Sequence, residues 1–383
     1  MKKSLIALAV LAASGVAMAQ SSVTLYGVAD AAVTYVNGLD NWTGLNSGAN
    51  KTSRLGFRGV EDLGGGLKAN FVLEGGINLD TGDGKSGGAT DSGFQFKRQS
   101  TVGLAGNFGE VRLGRELTAA YNATARYDVF GSVGIARSQL WDDGKSLAFS
   151  TAPATLGEPV DPYHYTTNQR VSNAITYVSP DFSGFKVAAN YGFGEIAGEN
   201  RDGRYFGGGL TYDNGPLSLG LGFDRMNGDT ANNTVLDTNL TTWQLGGAYN
   251  FGVAKLMGFY KQSKDKVTGP AAPNASFKSK VFGLGVTAPV GAAGEVRASY
   301  NHYRDSADIP GVNTPTFKAN QLSLGYVHNL SKRTALYGTY AYLKNKNKDG
   351  DNLGLELNGA MPGAGLSDSG AQHGLQVGIR HAF

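Results

Sequence analysis

Apolar and polar residues alternate with a period of two along nearly the whole chain, and no other feature limits the possible folds as strongly. In Val23–Tyr35 the odd positions are apolar or glycine, and several even positions are polar. Leu217–Asp224 and Leu375–Arg380 repeat the alternation. A period of two is typical of β-strands with one apolar face. No segment after residue 19 shows a helical period of similar quality, so the sequence predicts an all-β fold.

The first nineteen residues are predicted to be a cleaved export signal. Two lysines follow Met1, Leu5–Ala13 is apolar, and residues 17–19 read Ala-Met-Ala, a small-residue cleavage site. The apolar stretch is shorter than the roughly 20 residues that a membrane-spanning helix needs. We therefore expect residues 1–19 to be removed and residues 20–383 to form a single exported domain.

Short and long connections alternate between the predicted strands. Seven short connections have the Gly, Asn and Asp content of tight hairpins and lie at 61–66, 106–109, 179–184, 213–216, 250–253, 289–294 and 329–333. Eight long polar segments separate them, at 37–52, 79–96, 116–168, 193–203, 225–240, 261–278, 303–320 and 343–370. Fifteen connections join sixteen strands. The pattern predicts a 16-stranded antiparallel transmembrane β-barrel with short periplasmic turns and long extracellular loops.

A soluble β-sandwich is the alternative fold, and three observations oppose it. No linker composition divides the chain into the domains expected of a sandwich this long. Charges of both signs, separated by small residues, fill the polar face of nearly every strand, as a wide aqueous lumen requires. Aromatic residues in the apolar register fit the interfacial girdles of a membrane barrel. These residues are Tyr35, Tyr177, Tyr191, Phe193, Trp243, Tyr249, Tyr300, Tyr326, Tyr340 and Tyr342.

Composition excludes several functional classes. Cysteine is absent, so the chain has no disulfide, no cysteine-based metal site and no cysteine nucleophile. The formal net charge of +3 is too small for a polybasic nucleic-acid binder. We therefore expect no nucleic-acid partner, and the sequence offers no cofactor or metal motif.

Five segments carry a resemblance to a known family. They are Ser22–Asp30, Ser53–Ala69, Gly106–Arg115, Asn173–Pro180 and Gly378–Phe383. In this order they resemble the trimeric general diffusion porins of Gram-negative outer membranes, specifically the β-proteobacterial branch. Ser53–Ala69 is the most specific of the five, and together the segments span almost the whole chain after the export signal.

The resemblance implies an architecture and partners. It implies a water-filled barrel assembled as a homotrimer in the outer membrane, in contact with lipid and lipopolysaccharide. The third loop, 116–168, would fold inward and narrow the pore. The terminal Phe383 resembles the signal that the barrel assembly machinery reads. The third loop departs from the family pattern in one respect: Ala120 and Val129 stand near positions where the family usually has proline.

Strand parity also assigns charges to the pore. The polar register contains ten basic residues against five acidic ones, among them Asp30 and Asp224, whereas the third loop is net acidic. A basic wall opposite an acidic loop creates a transverse field and favours weak anion selectivity for small hydrophilic solutes and ions. The residues predicted to form the constriction are Arg54, Arg58, Arg98 and Arg112 on the wall, and Asp128, Arg137, Asp142 and Asp143 on the loop.

Three other functions compete with a general pore. An anion- or phosphate-preferring channel stays open, because the same arginines suit both. A sugar channel needs a file of lumenal aromatic residues, and only Tyr26 and Phe259 are expected to point inward. An enzymatic barrel would need a catalytic set, but His302 with Asn301 and Ser306 matches no catalytic motif, so we expect no enzyme activity.

Overall fold

The computed structural model describes residues 22–38, 40–85, 93–138, 169–195, 197, 201–228, 237–269, 272–311, 316–346, 355–357 and 370–383. The predicted export signal and two of the predicted loop residues, Asp142 and Asp143, lie outside these ranges. Within them, no helix is long and apolar enough to cross a membrane.

Sixteen antiparallel strands form one closed barrel, which confirms the predicted fold class. The strands are β1 Ser22–Val36, β2 Trp42–Ser47 and Arg54–Gly64, β3 Leu67–Ile77, β4 Gln99–Gly106, β5 Gly109–Leu117, β6 Arg170–Val178, β7 Phe185–Gly192, β8 Tyr205–Asn214, β9 Leu217–Asn227, β10 Asp237–Asn250, β11 Lys255–Gly269, β12 Ala272–Val290, β13 Gly294–Asp308, β14 Phe317–Asn329, β15 Thr334–Asn345 and β16 Ala371–Ala382.

Two details bring the strand count to sixteen. Both segments of β2 pair with β1, one beside its second half and one beside its first, so they form one strand interrupted at 48–53. Gly84–Lys85 only extends the ladder at the end of β3. The barrel closes where β1 pairs with β16, from Val28 opposite Ala382 to Val36 opposite Gly374. A closed sheet leaves no backbone edge exposed to lipid.

The two faces of the wall follow the predicted parity. On β1, Val23, Leu25 and Val33 point outward and are exposed, whereas Asp30 and Thr34 point inward and are buried. The predicted girdle residues are exposed on the outer face, apart from the partly buried Tyr342. The outer surface is therefore apolar with aromatic residues near the strand ends, as contact with lipid requires.

The short turns lie where they are predicted, but two long connections differ from the prediction. The expected loop at 261–278 is mostly strand, because β11 continues to Gly269 and β12 begins at Ala272. The expected loop at 37–52 contains the first segment of β2. At 261–278 polar residues occupy both faces of strands that extend beyond the apolar band, so the alternation that identifies a strand is lost.

Candidate pore constriction

The described part of the third loop, residues 118–138, lies inside the barrel. It begins with α1, Ala119–Thr124, followed by a 3-10 turn, Ala125–Tyr127. The Thr118 hydroxyl accepts a hydrogen bond from the Tyr121 N–H at 3.3 Å and caps α1. The Ala119 N–H donates to the Asn190 side chain on β7. These contacts direct the chain into the lumen as soon as β5 ends.

Inward-facing glycines make room for the first half of this loop. Gly209, Gly220, Gly222 and Gly246 lie on β8, β9 and β10, beneath α1 and Tyr127. A Cβ atom added at any of these positions would come within 3.0 Å of the loop. The loop backbone therefore rests directly on the wall, and a side chain at these positions would push it toward the pore axis.

Two glutamines hold the other end of the described loop on the far wall. The Ile135 N–H donates to Gln376 Oε1 of β16 at 3.0 Å. Gln321 Nε2 of β14 donates to the carbonyl oxygens of Ile135 and Arg137, at 3.0 and 3.1 Å. The loop thus crosses the lumen from β7–β10 to β14–β16, and the inward fold implied by the resemblance is seen over 118–138.

Asp128 organises the bend in the middle of this loop. Its carboxylate accepts hydrogen bonds from the backbone N–H groups of Phe130, Ser132 and Ser138, at 3.1, 3.2 and 3.0 Å. Burial raises the pKa of this carboxyl, while the three N–H donors and nearby Arg137 act in the opposite direction. Asp128 is thus engaged with the loop backbone, and its action as a charge opposite the wall arginines stays a prediction.

A cavity of about 400 Å³ lies between this loop and the opposite wall, and cationic side chains dominate its lining. Asp128 is the one carboxylate among the described residues around it. The cationic lining residues are Lys51, Arg54, Arg98, Arg170, Arg297 and Arg380. An aqueous cavity with this lining concentrates anions and repels cations.

Glu74 on β3 ties two of these arginines to the wall. Its carboxylate lies 2.7 Å from Arg98 Nε and 3.4 Å from Arg54 Nε. The Tyr26 hydroxyl donates to the same carboxylate at 3.1 Å. Glu74 neutralises one charge of the pair, so Arg54 and Arg98 together leave a net positive charge beside the cavity.

Lys51 reaches the cavity because β2 is interrupted. The buried Asp30 carboxylate accepts hydrogen bonds from the N–H groups of Ala49, Asn50 and Lys51, at 3.2, 3.1 and 2.7 Å. It also accepts a short hydrogen bond from the Tyr337 hydroxyl. Asp30 therefore shapes the segment 48–53, which holds Asn50 and Lys51 at the cavity wall.

The remaining predicted residues lie in other surroundings. Arg58 faces the lumen with its guanidinium 5.2 Å from the centre of the Tyr26 ring, but it does not line the cavity. Arg112 also faces the lumen, 2.7 Å from both Glu110 and Glu116, so its charge is compensated locally. Arg137 contributes its carbonyl oxygen to the Gln321 contact.

Comparisons with known proteins now identify the family. The Gram-negative porin family matches residues 5–348 of the chain. The chain belongs to this family. The porin is 47% identical to outer membrane porin protein 32 of Delftia acidovorans over the full length of both chains. It is 32% identical to an outer membrane porin protein of Bordetella pertussis, covering 90% of this chain and 95% of the other.

A solved structure agrees with this assignment. The anion-selective porin from Comamonas acidovorans superposes with a TM-score of 0.74 at 42% identity, covering 95% of this chain and 100% of the other. The fold and the family together place the porin in the Gram-negative outer membrane.

Sequence parity does not identify four of the six cations around the cavity of the porin as constriction residues. It places Arg170, Arg297 and Arg380 on the lumen side of their strands, but nothing in the alternation shows that the third loop lies opposite them. Lys51 falls in a predicted loop. The Asp30 to Tyr337 contact that shapes its segment joins residues more than three hundred positions apart, which no local pattern reports.

The predicted acidic count of the wall also needs correction. Asp30 and Asp224 are buried and hydrogen-bonded, so neither presents a charge to lumen water. Three of the five predicted acidic residues, Glu74, Glu110 and Glu295, are then left on the water-facing wall of the porin, each in an ion pair with an arginine.

The expectation that only Tyr26 and Phe259 point inward is wrong. Tyr205, Tyr303 and Tyr337 also lie on the inner face. All three are buried, so they pack within the porin and do not form a stacking file along the lumen.

Phe383, which follows β16, pairs with β1 and so takes part in closing the barrel. Its N–H donates to the Gly27 carbonyl and its carbonyl accepts from the Gly27 N–H, both at 3.1 Å. Its ring covers Gly27, where an added Cβ atom would collide with it. The terminal aromatic residue therefore belongs to the β1–β16 seam; its reading by the assembly machinery stays a prediction.

Proposed function

We propose that the porin is a water-filled channel for passive diffusion of small hydrophilic solutes and ions, with a weak preference for anions. The observation that carries this proposal is the cavity beside the third loop, which six cationic side chains line and one carboxylate borders. That carboxylate, Asp128, accepts three backbone hydrogen bonds and carries at most one negative charge against the six positive ones.

The preference follows from fixed charge in a confined space. Debye screening at physiological ionic strength extends about 8 Å, which is comparable to the dimensions of a cavity of about 400 Å³. An anion in the cavity is therefore within the field of several cations at once. Ion pairs such as Arg54 with Glu74, and Arg297 with Glu295 at 2.6 Å, moderate this field without cancelling it. The similarity to the Comamonas protein, an anion-selective porin, supports the same preference.

The finer parts of the proposal rest on the family resemblance. The porin acts as a homotrimer, is exported by residues 1–19, and has no enzymatic activity. Constriction charges at Asp142 and Asp143 would add to the field of the loop.

A phosphate-preferring channel is the second candidate function. Four arginines and a lysine around one cavity are suited to binding multivalent anions. These residues are Arg54, Arg98, Arg170, Arg380 and Lys51.

Planar-bilayer recording of the refolded porin in a KCl gradient tests the proposal. We expect large, nearly ohmic conductance steps arriving in threes, with a reversal potential of the sign set by chloride. A reversal potential set by potassium would contradict the anion preference. Single steps would contradict the trimer, and a folded protein without conductance would contradict the channel. Block of the chloride current by micromolar phosphate would favour the second candidate.

A further inference from the structure

The two sides of the constriction cavity differ in chemistry. The cations described above come from the barrel wall and from the segment 48–53. The side formed by the third loop and the end of β5 has mainly apolar side chains, which we call the apolar face. They are Leu117, Tyr121, Val129, Phe130 and Val133. Apart from Asp128, no charged side chain of the described loop residues 118–138 lines the cavity. The apolar face offers a contact that a small inorganic anion does not use.

Packing against the wall fixes part of the apolar face. Val129 and Phe130 are buried. A Cβ atom added to Gly285 of β12 would come within 3.0 Å of the Val129 side chain. A Cβ atom added to Gly325 of β14 would come within 3.0 Å of the Phe130 ring. These close contacts hold the loop backbone against the wall, so the nearby Val133 keeps its position beside the cavity.

The other three side chains of the apolar face are partly exposed, so a solute in the cavity can contact them. Leu117 is the last residue of β5, Tyr121 lies in α1, and Val133 follows the bend at 128–132. The Tyr121 hydroxyl accepts a hydrogen bond from Gln169 Nε2 at 3.1 Å, which orients the ring. Because removal of apolar surface from water is favourable in proportion to its area, these side chains favour a solute with an apolar part.

The cationic side of the cavity has hydrogen-bond donors available for an anion. Arg54 approaches Glu74 through Nε, so Nη1 and Nη2 have no hydrogen-bond partner among the described residues. Lys51 Nζ has no partner in the same part of the chain. Arg380 donates from Nη1 to Asn50 Oδ1 at 2.9 Å, which leaves Nη2 available. A guanidinium can donate two parallel hydrogen bonds to one carboxylate, and an ammonium adds a point charge. These donors suit a carboxylate.

We propose that the cavity prefers organic carboxylates with a compact apolar body, such as an aromatic ring, over inorganic anions. The carboxylate binds the cationic side, and the apolar body lies against Leu117, Tyr121 and Val133. A cavity of about 400 Å³ is within the size range of small-molecule sites. This inference rests on the proposed channel function and names the substrate class of its cavity.

The test is block of the chloride current of the full folded porin by benzoate, acetate and gluconate in planar bilayers at pH 7. All three are monovalent carboxylates at this pH. Benzoate has an apolar ring, acetate has one methyl group, and gluconate has a polar chain. Because the apolar face can bury part of the ring, benzoate should block at an about tenfold lower concentration than acetate or gluconate.

Two variants change the apolar face without changing any charge. L117N/V133T should reduce the advantage of benzoate over acetate to about twofold, and V133T alone should reduce it in part. V72T is the matched control, because Val72 of β3 pairs with the lumenal Arg58 but does not line the cavity. The control should keep the tenfold difference. The heat-dependent shift in gel mobility checks that each variant is folded.

Three outcomes would overturn the preference for apolar carboxylates. They are equal block by benzoate and acetate, equal losses in L117N/V133T and V72T, and block by inorganic phosphate at a lower concentration than benzoate. The reversal potential of L117N/V133T in a KCl gradient should match that of the unchanged porin, because the variant keeps every charge. A reversal potential of the unchanged porin set by potassium would instead contradict the proposed function, so the two failures are distinguishable.

Discussion

R54Q/R98Q is expected to move the reversal potential of the porin strongly toward the potassium value. The variant removes two of the six cations around the cavity and leaves the Glu74 carboxylate without either arginine. An uncompensated carboxylate would then face the narrow part of the lumen. Because wall charges set local ion concentrations, we expect the ratio of chloride to potassium permeability to fall by about tenfold. The measurement is a planar-bilayer recording in a KCl gradient.

Two controls identify the cause of that shift. R54Q/R98Q/E74Q removes the carboxylate as well and should recover part of the anion preference. R58Q removes a lumenal arginine on the same strand as Arg54 that does not line the cavity, so its shift should be much smaller. If R58Q acts as strongly as R54Q/R98Q, selectivity is set along the whole wall and not at the cavity.

G209A/G220A is expected to displace the third loop and lower the single-channel conductance. A Cβ atom at either position would come within 3.0 Å of a backbone carbonyl oxygen of α1, Ala119 or Ala123. The loop backbone is packed against the barrel wall and has little room to move. Overpacking of this kind lowers the free energy of unfolding by about 1–3 kcal/mol. The loop would move toward the pore axis, and its cleavage by added protease would accelerate.

The matched control for the glycine variant is G208A. Gly208 is next to Gly209 on β8 but faces lipid, and the nearest atom to an added Cβ is the Ala188 carbonyl oxygen at 3.5 Å. G208A should keep the conductance and protease resistance of the unchanged porin. If both variants have the same conductance and protease resistance, the glycines do not determine the position of the loop. Its path would then depend on Gln321 and Gln376.

The barrel is predictable from sequence because the alternation that identifies a strand is a pattern of neighbouring residues. A lipid face and an aqueous face impose the period of two on each strand, so parity alone places Arg54 and Glu74 on the inner wall. Short turns such as 106–109 are recognisable by residue type. The rule fails at 261–278, where strands leave the membrane and both faces become polar.

The site is only partly predictable, because its decisive contacts join distant parts of the chain. Parity shows that Arg297 and Arg380 face inward, but not that the third loop lies across from them. It also counts Asp30 as a lumenal charge, whereas the folded chain uses that carboxylate to hold the segment bearing Lys51. Asp128 likewise accepts hydrogen bonds from backbone N–H groups, within the third loop. Inward carboxylates become structural where backbone N–H groups lack partners, and only the fold reveals where that happens.

The most direct test of the anion path is to locate ions in the pore by anomalous diffraction. Crystals of the porin would be soaked separately in bromide and in rubidium salts. We expect bromide in the cavity beside Arg54, Arg98, Arg170 and Arg380, and no rubidium there. Rubidium at these arginines, or a cavity empty of bromide while the rest of the lumen holds it, would contradict the claim that this cavity is the anion path.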